Sequence, residues 1–384
     1  MKLRCVLLAV FFLLSGCQTA SNVYNGWFGS APKKKAAELT QFQQRAAARI
    51  VWQGNVGPAE RSAFYPAVAG NAVFATGASG QIAGFAGNTG AAQARFEAGT
   101  KLSGGIGFGA GLVLAGTARG EVLAFEPSGK LAWKAQLTGE VLAPPAGADG
   151  VVVVRTGDGR IYGLNAADGK QRWVYQRALP PLALRSFAGA VVNRGAVFAG
   201  FSGGRLVAIA LATGNVGWEA VVALPKGTTE LERVTDITSY PVVDGPHVCA
   251  VAYQGRVACF DASNGETVWA RDVSSIAGMG VDARNVYVTD DRSAILAFDR
   301  SRGASVWKQD KLNGRWASAP LALGRYVVVG DIEGYVHVLS RDDGAFVARI
   351  GTDGSPIQVP PVALDLSTLL VQTRNGGVFA VNIQ

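Results

Sequence analysis

Apolar residues along this chain come in short runs that alternate with polar or small ones, and glycine-containing turns separate the runs. The pattern has the two-residue period of half-buried strands, not the 3.6-residue period of helices. One stretch sets the template: Gly159-Arg-Ile-Tyr-Gly-Leu164-Asn-Ala-Ala-Asp-Gly169-Lys-Gln-Arg-Trp173. It reads as a glycine, an alternating strand, a polar turn closed by glycine, and a tryptophan four residues on. The same phrase runs from Gly204 to Trp218, Gly255 to Trp269 and Ser293 to Trp307, and from Gly120 to Trp133 with one residue fewer in the turn. Two further copies, starting at Gly80 and Gly334, carry Ala94 and Ala348 in the tryptophan slot, and a last copy starts at Gly376. Successive starts lie 38 to 51 residues apart, close to the roughly 40–45 residue period of four-stranded propeller blades.

The final copy reaches Gln384 before any tryptophan, whereas Trp52 near the N-terminus has no glycine strand ahead of it. Joining the two completes a blade and leaves no open sheet edge. Strands such as Val151 to Val154 and Tyr326 to Val329 are β-branched or aromatic, as buried strands are. Pro66, Pro145, Pro241, Pro320 and Pro361 mark the blade starts, where an inner strand can lack one donor. The expected fold is all-β: an eight-bladed β-propeller of four-stranded blades over residues 49–384, its ring closed by the N-terminal strand.

Composition agrees and narrows the function. Hydrophobic residues make up 49% and charged residues 17%, which excludes a disordered chain, and fifty glycines disfavour a helical bundle. With only His247 and His337 available, a multi-histidine metal site cannot be built, and a nucleophilic triad would need one of two isolated imidazoles. Both histidines fall within or beside strands and are read as structural. Gly104 to Gly111 is glycine-rich but lacks dinucleotide-site spacing and a following helix, so it is read as a loop. No pair of carboxylates has catalytic spacing, and no cofactor or metal is expected.

Lys2, Arg4 and the apolar run Val6 to Leu14 have the form of a secretory leader too short to span a bilayer. Leu14-Ser15-Gly16-Cys17 resembles the bacterial lipobox. That resemblance implies removal of residues 1–16, acylation of Cys17, and a lipidated linker over 17–48. Gln18, rather than aspartate, points to the outer membrane and its periplasmic face. Residues 36–48 read either as a short helix or as the end of the linker. Processing removes two of 36 basic residues and none of 28 acidic ones, taking the formal charge from +8 to +6. The excess is mild and scattered apart from Lys33 to Lys35, and it implies no nucleic acid. Cys249 and Cys259 flank a hairpin that turns near Gln254, so they face one another as a disulfide or as two buried thiols.

Most blades need 24 to 28 residues from the tryptophan slot to the next glycine; Trp173 to Gly204 takes 31 and Trp218 to Gly255 takes 37. Both insertions fall in the connection between one blade and the next, and therefore on one face of the ring. The first carries Leu179, Leu182, Leu184 and Arg185; the second carries Glu230, Glu232 and Asp236. Apolar residues beside acids on surface loops suggest a partner-binding rim, and the alternative is a satellite core under the loops.

The repeat phrase resembles the tryptophan-docking motif of pyrroloquinoline-quinone propellers, although the vicinal cysteine pair usual in those dehydrogenases is absent. Leu179-Pro-Pro-Leu-Ala-Leu-Arg185-Ser and Gly227 to Val243, together with Phe64 to Phe74, resemble a narrower group, the BamB family of outer-membrane assembly lipoproteins. This resemblance implies a non-enzymatic scaffold that binds the periplasmic POTRA domains of BamA through Leu182, Leu184, Arg185 and Asp236, and that helps deliver unfolded outer-membrane proteins. Thr238 stands where the family often has a second aspartate. A quinoprotein dehydrogenase and a polysaccharide-binding lipoprotein are the alternatives.

Overall fold

The computed structural model describes residues 36–384 and contains thirty-two strands and no helix among them. The strands form six four-stranded antiparallel sheets and one of eight strands, in which two four-stranded meanders touch through a single parallel pair, Gly147 with Gly109. The architecture is a β-propeller. In most meanders the first strand is short and half-buried, the next two are almost wholly buried, and the fourth is largely exposed with a buried position at its centre; Ala146–Ala148, Val151–Arg155, Arg160–Asn165 and Gln171–Gln176 show the progression. Five first strands begin one residue after a proline, at Ala67, Ala146, Val242, Leu321 and Val362. The missing proline N–H is harmless there because the ladder has not yet begun.

The repeated glycine and tryptophan meet between neighbouring meanders. The indole N–H of Trp52, Trp133, Trp173, Trp218, Trp269 and Trp307 each donates to a carbonyl in the third turn of the following meander, at 2.6 to 3.0 Å. The turn glycine of that meander lies against the same ring. Gly169 has φ +72°, and a Cβ there would come 2.5 Å from Trp133. Two requirements thus select glycine at once: the left-handed backbone and the absence of room. Ahead of the tryptophan, the register slips by one residue in each fourth strand, for example between the partners of Gly163 and Leu164. Where Ala94 holds the slot, Phe96 packs on Gly129 instead.

Strand Ala48–Asn55 pairs antiparallel with the last strand, Gly377–Ile383, from Ala48 opposite Ile383 to Asn55 opposite Gly377. It carries the same slip before Trp52 as the other fourth strands. Residues 37–47 form neither a helix nor a free linker; they pack on strand Phe346–Gly351. The Arg45 and Ala46 N–H groups donate to the Val347 carbonyl, Phe42 stacks on Phe346 at 5.4 Å, and Arg349 lies 5.0 Å over the Phe42 ring. Buried Arg315 donates to the Ala37 carbonyl and pairs with Asp331 and Glu333. Cys17 and the leader lie outside the described residues.

Candidate functional site

Antiparallel meanders place every connection between consecutive sheets at one end of the strands, together with the second turn of each sheet. At that end the two long insertions, residues 177–190 and 222–241, lie side by side. What joins them is Asp236. Its side chain was expected at the surface, facing a cation on a partner; instead it is 2% exposed. One carboxyl oxygen accepts the Leu184 N–H at 2.6 Å and the other accepts the Gly203 N–H at 3.1 Å. The Asp236 backbone pairs with Ser202 and accepts the Tyr253 N–H. A charged acceptor satisfies two backbone donors that loop geometry leaves without ladder partners. Asp236 therefore latches the first insertion onto the second, and the expected exposed acid is replaced by a positioning residue. Glu232 likewise serves its own loop, accepting the N–H groups of Thr228 and Thr229, which hold its carboxyl below the usual range.

The latch fixes the segment from Leu182 to Arg185. Leu182 is 40% exposed, whereas Leu184 is half-buried. Arg185 is exposed, pairs with Glu140 at 3.2 Å and lies 5.7 Å over the Phe187 ring. Thr238 donates to the Ile276 carbonyl, and the Ser186 hydroxyl donates to the Thr238 carbonyl, so the position without an acid is a hydrogen-bonded brace between loops. Cys249 and Cys259 pair directly across their hairpin, buried, with Cα atoms 4.0 Å apart and sulfurs within bonding distance.

Inside the rim lies a funnel of about 560 Å³. Its floor is a pair of tyrosines, Tyr65 and Tyr240, whose rings meet edge to face at 5.8 Å and 81°. They come from the entries to two first strands far apart in sequence and close the centre of the molecule. Burial drives both phenols well above their ordinary pKa, so they remain neutral hydrogen-bonding groups. Gly189 admits no side chain because the Tyr240 ring occupies the space. Beneath the rim, Arg155 donates to the Ala188 carbonyl at 3.0 Å and lies 5.1 Å over Phe201. Burial pulls its guanidinium down to about 10, against the favourable field of Asp236. Pattern reading missed Arg155 and the tyrosines. The signal available was that Tyr65-Pro66 and Tyr240-Pro241 repeat one dipeptide at two strand entries.

With that geometry in place, comparison with known proteins identifies the lineage. Residues 78–309 match a family model described as outer membrane protein assembly factor BamB. The chain is 45% identical to the BamB of Nitrosomonas eutropha over 100% of its own length and 95% of the relative's, and 43% identical to that of Bordetella pertussis over 98% and 96%. Its backbone superposes on the crystal structure of BamB from Moraxella catarrhalis with a TM-score of 0.80 and 25% identity, covering 88% of this chain and all of that one. A quinohemoprotein alcohol dehydrogenase from Pseudomonas putida HK5 shares the fold at a TM-score of 0.71 but only 12% identity, over 87% of this chain and 76% of that one. Full-length identity above 40% to proteins of one name settles the relationship: this chain belongs to the BamB family of outer membrane protein assembly factors.

Proposed function

We propose that this protein is a non-enzymatic scaffold for outer-membrane protein assembly and that its docking element is the rim segment from Leu182 to Arg185, which engages the periplasmic POTRA domains of BamA. One observation carries the reading: a buried carboxyl group is committed to holding an exposed leucine and arginine in a fixed loop. A loop that only had to connect two sheets would need no such latch. Its relatives bear the name of an assembly factor rather than of an enzyme.

The scaffold reading includes a ring of eight blades. Support comes from the two meanders within the eight-stranded sheet and from the first strand, which repeats the register slip and indole bond of the other fourth strands. It also includes a lipid anchor at Cys17, periplasmic exposure at the outer membrane, and delivery of unfolded outer-membrane proteins as the service performed.

The test is binding of the purified BamA periplasmic fragment. Interface anchors cost about 2 kcal/mol or more when truncated, roughly thirtyfold in affinity. Leu182→Ala combined with Arg185→Ala is expected to weaken binding at least tenfold with little change in melting temperature, since both side chains are exposed. Unchanged affinity would refute the docking element.

A further inference from the structure

The funnel has a composition that the docking loop does not explain. Four charged side chains line it, Arg61, Arg185, Arg374 and Glu60, so guanidinium groups outnumber carboxylates three to one. Among the described residues Arg61 and Arg374 form no salt bridge, whereas Glu60 is engaged by Lys101 at 3.5 Å. Arg374 is steered toward the mouth by a bond from its Nε to the Glu60 carbonyl at 3.2 Å. Behind the exposed cations the lining turns more buried and apolar, with Leu184, Met279 and the two tyrosines. The Ser239 hydroxyl is buried in this wall without a hydrogen-bond partner among the described residues. A blind cavity of ligand size, apolar at its base and cationic at its mouth, fits a group that is apolar at one end and anionic at the other. Arg61 and Arg374, solvent-facing and without an ion pair among the described residues, keep terminal guanidinium N–H groups for bidentate bonds with a carboxylate.

We infer that this funnel receives an anionic apolar group, and that its source is an acidic segment of the docked partner whose apolar side chain descends toward the tyrosines. The choice of source rests on the docking reading above. Leu184 and Arg185 belong both to the docking segment and to the funnel wall, so a partner seated on the rim covers the mouth. A carboxylate there would meet Arg61 and Arg374 from across the opening, and its apolar neighbour would displace water from the side chains of Leu184 and Met279.

The probe is 1-anilinonaphthalene-8-sulfonate, an apolar anion, titrated by fluorescence into the full mature chain without detergent. Saturable one-to-one binding is expected under native conditions, weakened at least tenfold by Arg61→Glu with Arg374→Glu at an unchanged melting temperature. The same charge change in Arg292→Glu with Lys311→Glu, on exposed cations outside the funnel, is expected to leave it intact. Non-saturable binding, or equal loss in both double variants, would overturn the receptor. Addition of the BamA periplasmic fragment is expected to displace the dye. A fragment that binds without displacing it would overturn the assigned source while leaving the docking reading standing. A fragment that does not bind at all removes the docking reading and the source together, and the dye then tests the receptor alone.

Discussion

Replacing Asp236 by alanine separates its role as a latch from a role as a contact. The carboxyl group accepts one bond at 2.6 Å and one at 3.1 Å, and both donors are backbone N–H groups. An unsatisfied buried donor costs about 1–3 kcal/mol. Gly203 sits in a tight turn with no alternative partner shown, while Leu184 is only half-buried and can gain water as the loop opens. A loss near the lower end of the summed range, about 2–4 kcal/mol, is therefore expected. Nearby Arg155 would also lose a favourable field. The loss should be local at first: the first insertion detaches while the sheets stay paired. Amide hydrogen exchange reports this directly. A decrease of about 2 kcal/mol in opening free energy speeds exchange roughly thirtyfold. Exchange at Leu184 and Gly203 is expected to accelerate at least that much, while amides in Val151–Arg155 keep their protection. Binding of the BamA fragment should fall although Asp236 itself never reaches the partner, and its salt dependence should be unchanged. Unchanged exchange at Leu184, or a binding loss that vanishes at high salt without faster exchange, would refute the latch and restore a direct charge contact.

Three further outcomes are expected. Alkylation after denaturation without reductant should leave Cys249 and Cys259 unmodified, and their double alanine variant should lose roughly 2–3 kcal/mol for a crosslink spanning ten positions; alkylation of both would show free thiols. Burial, with smaller contributions from Arg349 and Arg315 set against Asp331, holds the His337 imidazole below its usual value. The unfolded chain then binds the extra proton first, so stability should fall as pH drops below about 6.5, and His337→Gln should flatten that part of a urea-midpoint profile between pH 7.5 and 5.5. Gly169→Ala combines a left-handed backbone with collision against Trp133 and should cost about 2 kcal/mol or more, whereas Gly195→Ala, strained but open, should cost about 1 kcal/mol; equal losses would show that the indole contact is unimportant.

The repeats were legible because each one restates the same two constraints, an indole and a glycine with φ above zero, at fixed separation. The slip before each tryptophan was not legible, since no residue type is required there. Insertion lengths brought the two long connections to one end of the sheets, where they do touch, but charge alone misread Asp236: a sequence shows that an acid is present and not whether it faces water or backbone donors. Tyr65 and Tyr240 are separated by four repeats, and nothing periodic announces that two strand entries meet at the centre. Residues 37–47 looked like linker because their attachment depends on Phe42 and two backbone N–H groups reaching a distant strand.

These successes and failures follow from one division of labour within the fold. Indole and glycine dock consecutive sheets at the end of the strands where the third turn lies, and there the turn length is nearly constant because the tryptophan must meet both the glycine and a carbonyl. Connections between sheets run at the opposite end and take no part in that docking. They are free to lengthen without moving any sheet, so insertions accumulate where docking is not at stake. The same freedom removes any repeated restraint, and the two long connections here are instead fixed by bonds particular to themselves, such as Asp236 to Leu184 or Ser186 to Thr238. Fold is accordingly written in the repeats and function in their exceptions. A propeller that shares only the repeats, like the quinohemoprotein at 12% identity, shares no reason to bind the same partner.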